Sequence, residues 1–349
     1  MNFYETKTMR DCEMKPTQVE MNRLADEREL LSVKEKADFT RSKMGEIGEN
    51  RVCDFIKTEA RPGWTLIRNM WLSDDGPFEC DIILITNHAV HTFEVKHYTG
   101  RFTYENSSCK IGNIKMAHDC IQQARKSFLK LQKICKKFNY HMPVNGSIVF
   151  SSPKNKVVIN STVEDIRVLE IPGLYEYLQD IKRDEDMHPQ APINTQSLLE
   201  FLESYEIENL YQSFPYSAEQ LATARKGICC GMCRSFNIEH SKHYVHCKCG
   251  FHESREEAIV RSACEYGALT YDRNFSTGDI WDFIDKQASK VFTQKVLATH
   301  FNLIQKNKHS NYENYGRDYL VVTDKFTFNK NAYYYNKRNS LYKHILINN

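Results

Sequence analysis

No stretch of this 349-residue chain approaches the roughly 18 consecutive apolar residues that a membrane-spanning helix needs. The N-terminus, MNFYETKTMRDCEMKPTQ, lacks the apolar core that marks a secretory leader. Cytoplasmic residence without a membrane partner is the expectation. Three motifs are also missing: a Gly-x-x-x-x-Gly-Lys phosphate loop, a dinucleotide fingerprint and a Gly-x-Ser-x-Gly elbow. ATP-driven motion within the chain therefore has no support. Internal repeats and low-complexity tracts are absent too.

What is present suits a globular protein. Hydrophobic residues make up 41% and charged residues 26% of the chain, enough apolar material to bury cores, and the length suggests two or three compact units. Twelve cysteines could suggest disulfides. However, seven are scattered singly (12, 53, 80, 109, 120, 135, 264), while five crowd between 229 and 249, as metal ligands in a reducing compartment do. The formal charge of +2 hides an asymmetry, because residues 286–349 hold 11 Lys or Arg against 3 Asp or Glu. An anionic partner is expected there.

The pattern predicts an exposed helix over 17–42 and a second beginning at Gly45-Glu46-Ile47-Gly48-Glu49, with Val52, Phe55 and Ile56 inward. Projected at about 100° per residue, Glu49 lies beside Ile56 at the edge of the buried stripe, whereas Glu46 faces solvent. Strands are expected over 64–69, 80–86, 89–97, 146–151 and 165–171, with helices over 117–138, 172–181 and 195–205. This order indicates an α/β sandwich.

The segment ECDIILITNHAVHTFEVK reads as two strands about a turn at Asn87-His88. A two-residue turn places Asp81 opposite Glu94, with Lys96 on the same face. Opposed carboxylates repel, and a divalent cation such as Mg²⁺ removes that conflict while binding phosphate oxygens. Lys96 would orient or deprotonate the attacking water, or stabilise transition-state charge. An isolated Glu-x-Lys is common on amphipathic strands; here a partner strand supplies the acid, and a Gly-x-x-Gly-Glu helix precedes both.

On Gly45-x-x-Gly48-Glu49, the Asp81-Ile-Ile-Leu-Ile strand, Phe93-Glu94-Val95-Lys96 with Gly100, and Gln123-Ala124, residues 42 to about 180 resemble the nuclease-related domain (NERD) family. That family is a branch of the PD-(D/E)xK nucleases. The resemblance implies a restriction-endonuclease-like α/β core, Mg²⁺ (or Mn²⁺) held by Asp81 and Glu94, help from Glu49, a catalytic Lys96, and Gln123 positioning water or substrate. The family's proline before the Gln123 helix is missing, so Gln122 is an alternative there. The same helix carries Arg125, Lys126, Lys130, Lys133, Lys136 and Lys137, either a phosphate-attracting surface or a solvated face.

Cys230-Gly-Met-Cys233 and Cys247-Lys-Cys249-Gly250 have the spacing of two knuckles around a structural Zn²⁺, and the segment resembles a zinc ribbon. Cys229 and His246 adjoin these positions as alternative ligands, while His240 and His243 read as ordinary loop histidines. Beyond, the tail interleaves Lys325, Lys330, Lys337, Arg338 and Lys343 with Tyr333, Tyr334, Tyr335 and Tyr342, suited to phosphate contacts with base stacking or to a small β core.

The expected organisation is a helical segment (1–41), a nuclease domain (42–181), a linker with a helix (182–225), a zinc ribbon (226–268) and a helical, basic C-terminal region (269–349). The expected function is metal-dependent phosphodiester hydrolysis, with DNA as substrate, in DNA processing or defence against foreign DNA. The rival reading is a non-catalytic nucleic-acid-binding or regulatory protein. Homo-oligomerisation and a protein partner both stay open.

Overall fold

The computed structural model describes residues 1–4, 16–188, 192–211, 213–305 and 311–316. The interleaved lysines and tyrosines of 325–343 lie outside these residues. The chain divides into two compact units, Met1–Asp11 with Thr40–Leu210 and Cys12–Phe39 with Tyr211–Asn349. Among the described residues, no helix is long and apolar enough to cross a membrane.

The chain opens with β1 (Asn2–Tyr4), α1 (Gln18–Glu27) and α2 (Val33–Glu59). The expected boundaries are corrected here: the first helix ends at Glu27, and everything from Val33 to Glu59 is one helix. The reason is local. Glu29 turns left-handed at φ 58° and Leu30 N–H bonds back to the Ala25 carbonyl, closing α1. Ser32 and Glu35 then cap α2 reciprocally. Gly48 does not break α2 but lets it pack closely, since a Cβ there would lie 2.7 Å from His97 Cβ and 2.8 Å from Ser151 Oγ.

The first unit continues through β2 (Thr65–Asp74), β3 (Gly76–Ile85), β4 (Val90–Lys96), β5 (Gly100–Glu105), β6 (Ser108–Ile111) and β7 (Ile114–Lys115). Then come α3 (Cys120–Phe138), β8 (Val144–Phe150), β9 (Asn155–Ile159), β10 (Ile166–Glu170), α4 (Ile171–Met187) and α5 (Thr195–Glu203). A six-stranded sheet has the order β1-β2-β3-β4-β8-β10. Its β2-β3-β4 meander is antiparallel, and β8 and β10 extend it in parallel from β4. Ala124, Phe128 and Leu131 of α3, with Leu198, Leu199 and Leu202 of α5, cover one face; Val52, Cys53 and Ile56 of α2, with Leu174 and Leu178 of α4, cover the other. Each buried Val, Leu, Ile or Phe among them contributes about 1.5–3 kcal/mol. This is the α/β sandwich expected of a nuclease-like core. Unforeseen were β1 and the second sheet, β7-β6-β5-β9. The stretch 182–225, read as a linker with a helix, begins within α4 and includes α5.

The second unit adds α6 (Ala218–Ala222), the antiparallel strands β11 (Ile238–His240), β12 (Tyr244–Cys247) and β13 (His252–Ser254), and then α7 (Arg255–Leu269), α8 (Thr277–Phe283) and α9 (Lys290–His300). Every residue of α7 from Ala258 to Leu269 is buried, including two charged ones. Arg261 donates to Glu253 and Glu265, and Glu265 also receives Arg28 at 2.6 Å and Arg234 at 2.5 Å. Glu27 completes the set by pairing with Arg234, so three guanidinium groups meet three carboxylates.

Burial alone would raise the Glu265 carboxyl, but Arg234, Arg28 and Arg261 outweigh it and hold it well below the usual range. Its stabilising contribution is thus complete above the ordinary glutamate value of about 4.3 and fades as pH falls through the depressed one. Glu265→Gln should cost about 3–5 kcal/mol in urea unfolding of the second unit at neutral pH, because it leaves buried cations unmatched. The difference from the wild type should shrink below about pH 4. Equal stability at neutral pH would refute this role.

Candidate active site and metal centre

The turn at Asn87-His88 sets the register of β3 on β4. Ile82 pairs with Phe93 and Ile85 with Val90, the register expected of the hairpin, and Asp81 and Glu94 are the next residues on each strand, just beyond the last pair. The turn is itself anchored by Glu185 of α4, which accepts the Asn87 backbone N–H at 2.8 Å and the Trp64 indole N–H at 3.2 Å.

The β3–β4 ladder stops at Ile82 and Phe93, although β3 continues along β2 to Gly76 and β4 continues along β8 to Lys96. The sheet therefore forks, and Asp81 stands at the fork. Its Oδ2 accepts the Val95 N–H at 2.7 Å, a side-chain bond where a ladder bond would have been. On the other side of β3, the ladder with β2 skips Asn69 and Asp81 while keeping register at Arg68–Ile82 and Met70–Cys80. Asn69 has φ 49°. Three positions, instead of two, separate Ile67 from Met70 and Cys80 from Ile83 on the α3 face. Both strands thus slip phase by one residue at this point.

Glu94 is only 5% exposed, and its Oε1 accepts from Lys96 Nζ at 2.7 Å. Lys96 Nζ also lies 3.5 Å from Gln123 Oε1 in the first turn of α3, which favours Gln123 over Gln122. Glu49 of α2 is half-buried, 3.6 Å from Arg68 Nη2, while Glu46 is exposed. Two neighbours escaped the sequence reading: Arg68, and Glu79 two positions before Asp81. Glu79 interacts electrostatically with Glu49 and Glu94. Its spacing from Asp81 on one strand was an available signal; Arg68 is apparent only once β2 is paired.

The electrostatics are those of an overcrowded acidic site. Burial, then the charge of Glu94, pushes the Asp81 carboxyl well above its ordinary value. Burial, then Glu49 and Glu94, pushes Glu79 up to about 7. Burial also raises Glu49, against the pull of Arg68. Burial would lower Lys96, yet Glu94 and Asp81 overcome it and hold the ammonium above its usual range. Four carboxyl groups face two cations, and Asp81 and Glu94 each keep one oxygen outside the bonds described. That donor set fits one divalent cation, although no third carboxylate gathers at the same point: among the described residues, only cysteines form a convergent group of three or more.

The cations of α3 serve mainly within the unit. Arg125 pairs with Asp165, and Lys133 and Lys137 pair with Asp74. Lys130 donates to the Gly76 and Pro77 carbonyls. Of the six cations, Arg125, Lys133 and Lys137 are thus matched by acids of the same unit.

In the second unit, the sulfurs of Cys230, Cys233, Cys247 and Cys249 lie within 4.8 Å of one another. Sγ–Sγ separations are 3.7 Å for Cys230–Cys249 and 3.5 Å for Cys233–Cys247. The N–H groups of Met232 and Cys233 point at Cys230 Sγ, and the Phe251 N–H is foremost in bringing Cys249 down to about 7. Such amide-to-sulfur bonds favour thiolates, so the cluster could form a zinc site. Cys229 is not part of it: its sulfur lies 3.5 Å from Arg261 Nη1 in the buried charge cluster. Neither is His246.

Residues 44–151 match the family model described as a nuclease-related domain (NERD). That stretch contains Glu49, Asp81, Glu94, Lys96 and Gln123. No curated protein and no solved structure gives a significant match.

Elemental analysis of the purified chain should find about one zinc per molecule. Cys230→Ser combined with Cys233→Ser should lose it and lower the melting temperature of the second unit. Unchanged zinc content in this variant would remove the four-cysteine assignment.

Proposed function

We propose, from the premise that residues 44–151 form a nuclease-related domain, that the chain is a metal-dependent nuclease hydrolysing phosphodiester bonds at the forked sheet. DNA is the proposed substrate, in DNA processing or defence against foreign DNA. The observation that carries the reading is the clustering of Asp81, Glu94 and Lys96 where β3 and β4 part, with Glu94 buried and the other two partly so. Burying two carboxylates beside one lysine costs stability unless a ligand repays it.

Asp81 and Glu94 would hold Mg²⁺ or Mn²⁺, and Glu49 and Glu79 would add negative potential around it. The bound cation supplies Lewis acidity toward a phosphoryl oxygen and lowers the pKa of water. Lys96, kept protonated by Glu94 and Asp81, is unsuited to be the base; it orients the attacking water and stabilises charge on the developing phosphorane. Gln123 holds the lysine toward the substrate side. The Val95 N–H fixes Asp81 through Oδ2 and leaves Oδ1 for the cation. The Cys₄ cluster is assigned a structural Zn²⁺, since four thiolates leave no open coordination position.

Incubation with plasmid, linear duplex, single-stranded DNA and RNA should give cleavage that requires added Mg²⁺ or Mn²⁺. Lys96→Ala should lower turnover by about 100-fold or more, and Asp81→Ala and Glu94→Ala should abolish it, all without weakening binding. Unimpaired cleavage by Lys96→Ala would overturn the assignment; binding of nucleic acid without cleavage under any cation would favour the non-catalytic alternative.

A further inference from the structure

A cavity of about 620 Å³ opens beside the ribbon strands of the second unit, lined by Lys242, His243, Tyr244, Arg255, Glu256 and Phe292 among others. We propose that it binds single-stranded nucleic acid, taking a backbone phosphate among its cations while bases stack along the adjoining strand face. The identity of this ligand rests on the nuclease reading above.

The cationic side is built. Arg255 is half-buried, its Nη2 is held by the Gln287 carbonyl at 2.7 Å, and its buried Nε has no hydrogen-bond partner among the described residues. Lys242 stands exposed beside it. The one acid in the lining, Glu256, is occupied by His300 Nε2 at 2.6 Å. An anion meeting Arg255 and Lys242 therefore meets a net positive wall, with the starts of α7 and α9 adding partial positive charge.

The aromatic side is continuous with the cavity through Tyr244, which is 48% exposed. Along β12 and β13, Val245 and Glu253 point inward, leaving Tyr244, His246 and His252 outside. Tyr244 lies 6.2 Å from His246, which in turn lies 6.2 Å from His252 at an interplanar angle of 24°. Glu239, level with His246 on β11, is the acid facing this row. A duplex hides its base faces, whereas a single strand offers them to such a platform. On the basic face of α3, the earlier candidate for phosphate contact, Arg125, Lys133 and Lys137 are committed to internal ion pairs.

The test measures fluorescence anisotropy of labelled oligo(dT), oligo(U) and a duplex with the zinc-loaded full chain. It compares the wild type with Lys242→Glu combined with Tyr244→Ala, and separately with Arg255→Gln. Single-strand affinity should fall about tenfold or more from lost stacking in the double variant. The slope of log K against log salt should flatten by about 0.7 per phosphate contact removed. Duplex affinity should change less, and the oligo(dT) and oligo(U) arms separate DNA from RNA. Zinc content and melting temperature establish that each variant is folded. Unchanged single-strand affinity and slope in folded variants, or an equal loss on duplex, would overturn the site; cleavage persisting in those variants would leave the nuclease reading intact. Conversely, variant-sensitive binding without cleavage under any divalent cation supports the site and removes the nuclease reading.

Discussion

Two carboxylates brought together on adjacent strands, one buried and one partly so, repel each other, and the first unit is arranged around that conflict. The fork between β3 and β4 opens beside Asp81 and Glu94. One Asp81 oxygen takes the Val95 N–H and one Glu94 oxygen takes Lys96. The slip shared by Asn69 and Asp81 changes which face each strand presents without costing register. Apolar residues can then cover both faces of the sheet while acids collect at its opening. Close packing of α2 through Gly48, and of α3 through Gln123, brings the remaining polar groups to the same place.

The second unit resolves its buried charge differently. Glu265 sits in a cluster of three arginines and three acids, and its carboxyl is driven down, whereas Asp81 and Glu79 are driven up. The first pattern is self-sufficient and suits a structural core. The second is left short of positive charge, which supports the cation site proposed there.

Much of this was legible in the sequence, where local rules operate. Asn87-His88 fixed the hairpin register, the 3.6-residue period marked residues 117–138 as a helix, and paired knuckle spacing marked the four cysteines. Glu49 emerged from helix projection alone. Other features depend on partners far away in the chain. Arg28 meets Glu265 across 237 positions, and no local pattern announces such a pair. The phase slip at Asn69 and Asp81 reads in sequence as a weak strand end, because alternation fails there; β2 was accordingly ended five residues early, at Asn69. Gly45 and Gly48 suggested a helix start, since glycine disfavours helix interiors by about 1 kcal/mol. The close approach of His97 and Ser151 explains why Gly48 sits mid-helix instead.

The path of the chain has a consequence for biosynthesis. Residues Thr40–Leu210 form most of the first unit, which Met1–Asp11 completes, while the second is assembled from segments on both sides of Thr40–Leu210. Arg28 leaves the ribosome more than 200 residues ahead of Arg234, Arg261 and Glu265. At about 5–20 residues per second, α1 waits roughly 10–50 s for its partners, long enough for the intervening unit to complete its own core first. Nascent α1, with Met21 and Leu24 bare, is consequently the segment a chaperone would meet before the chain is finished.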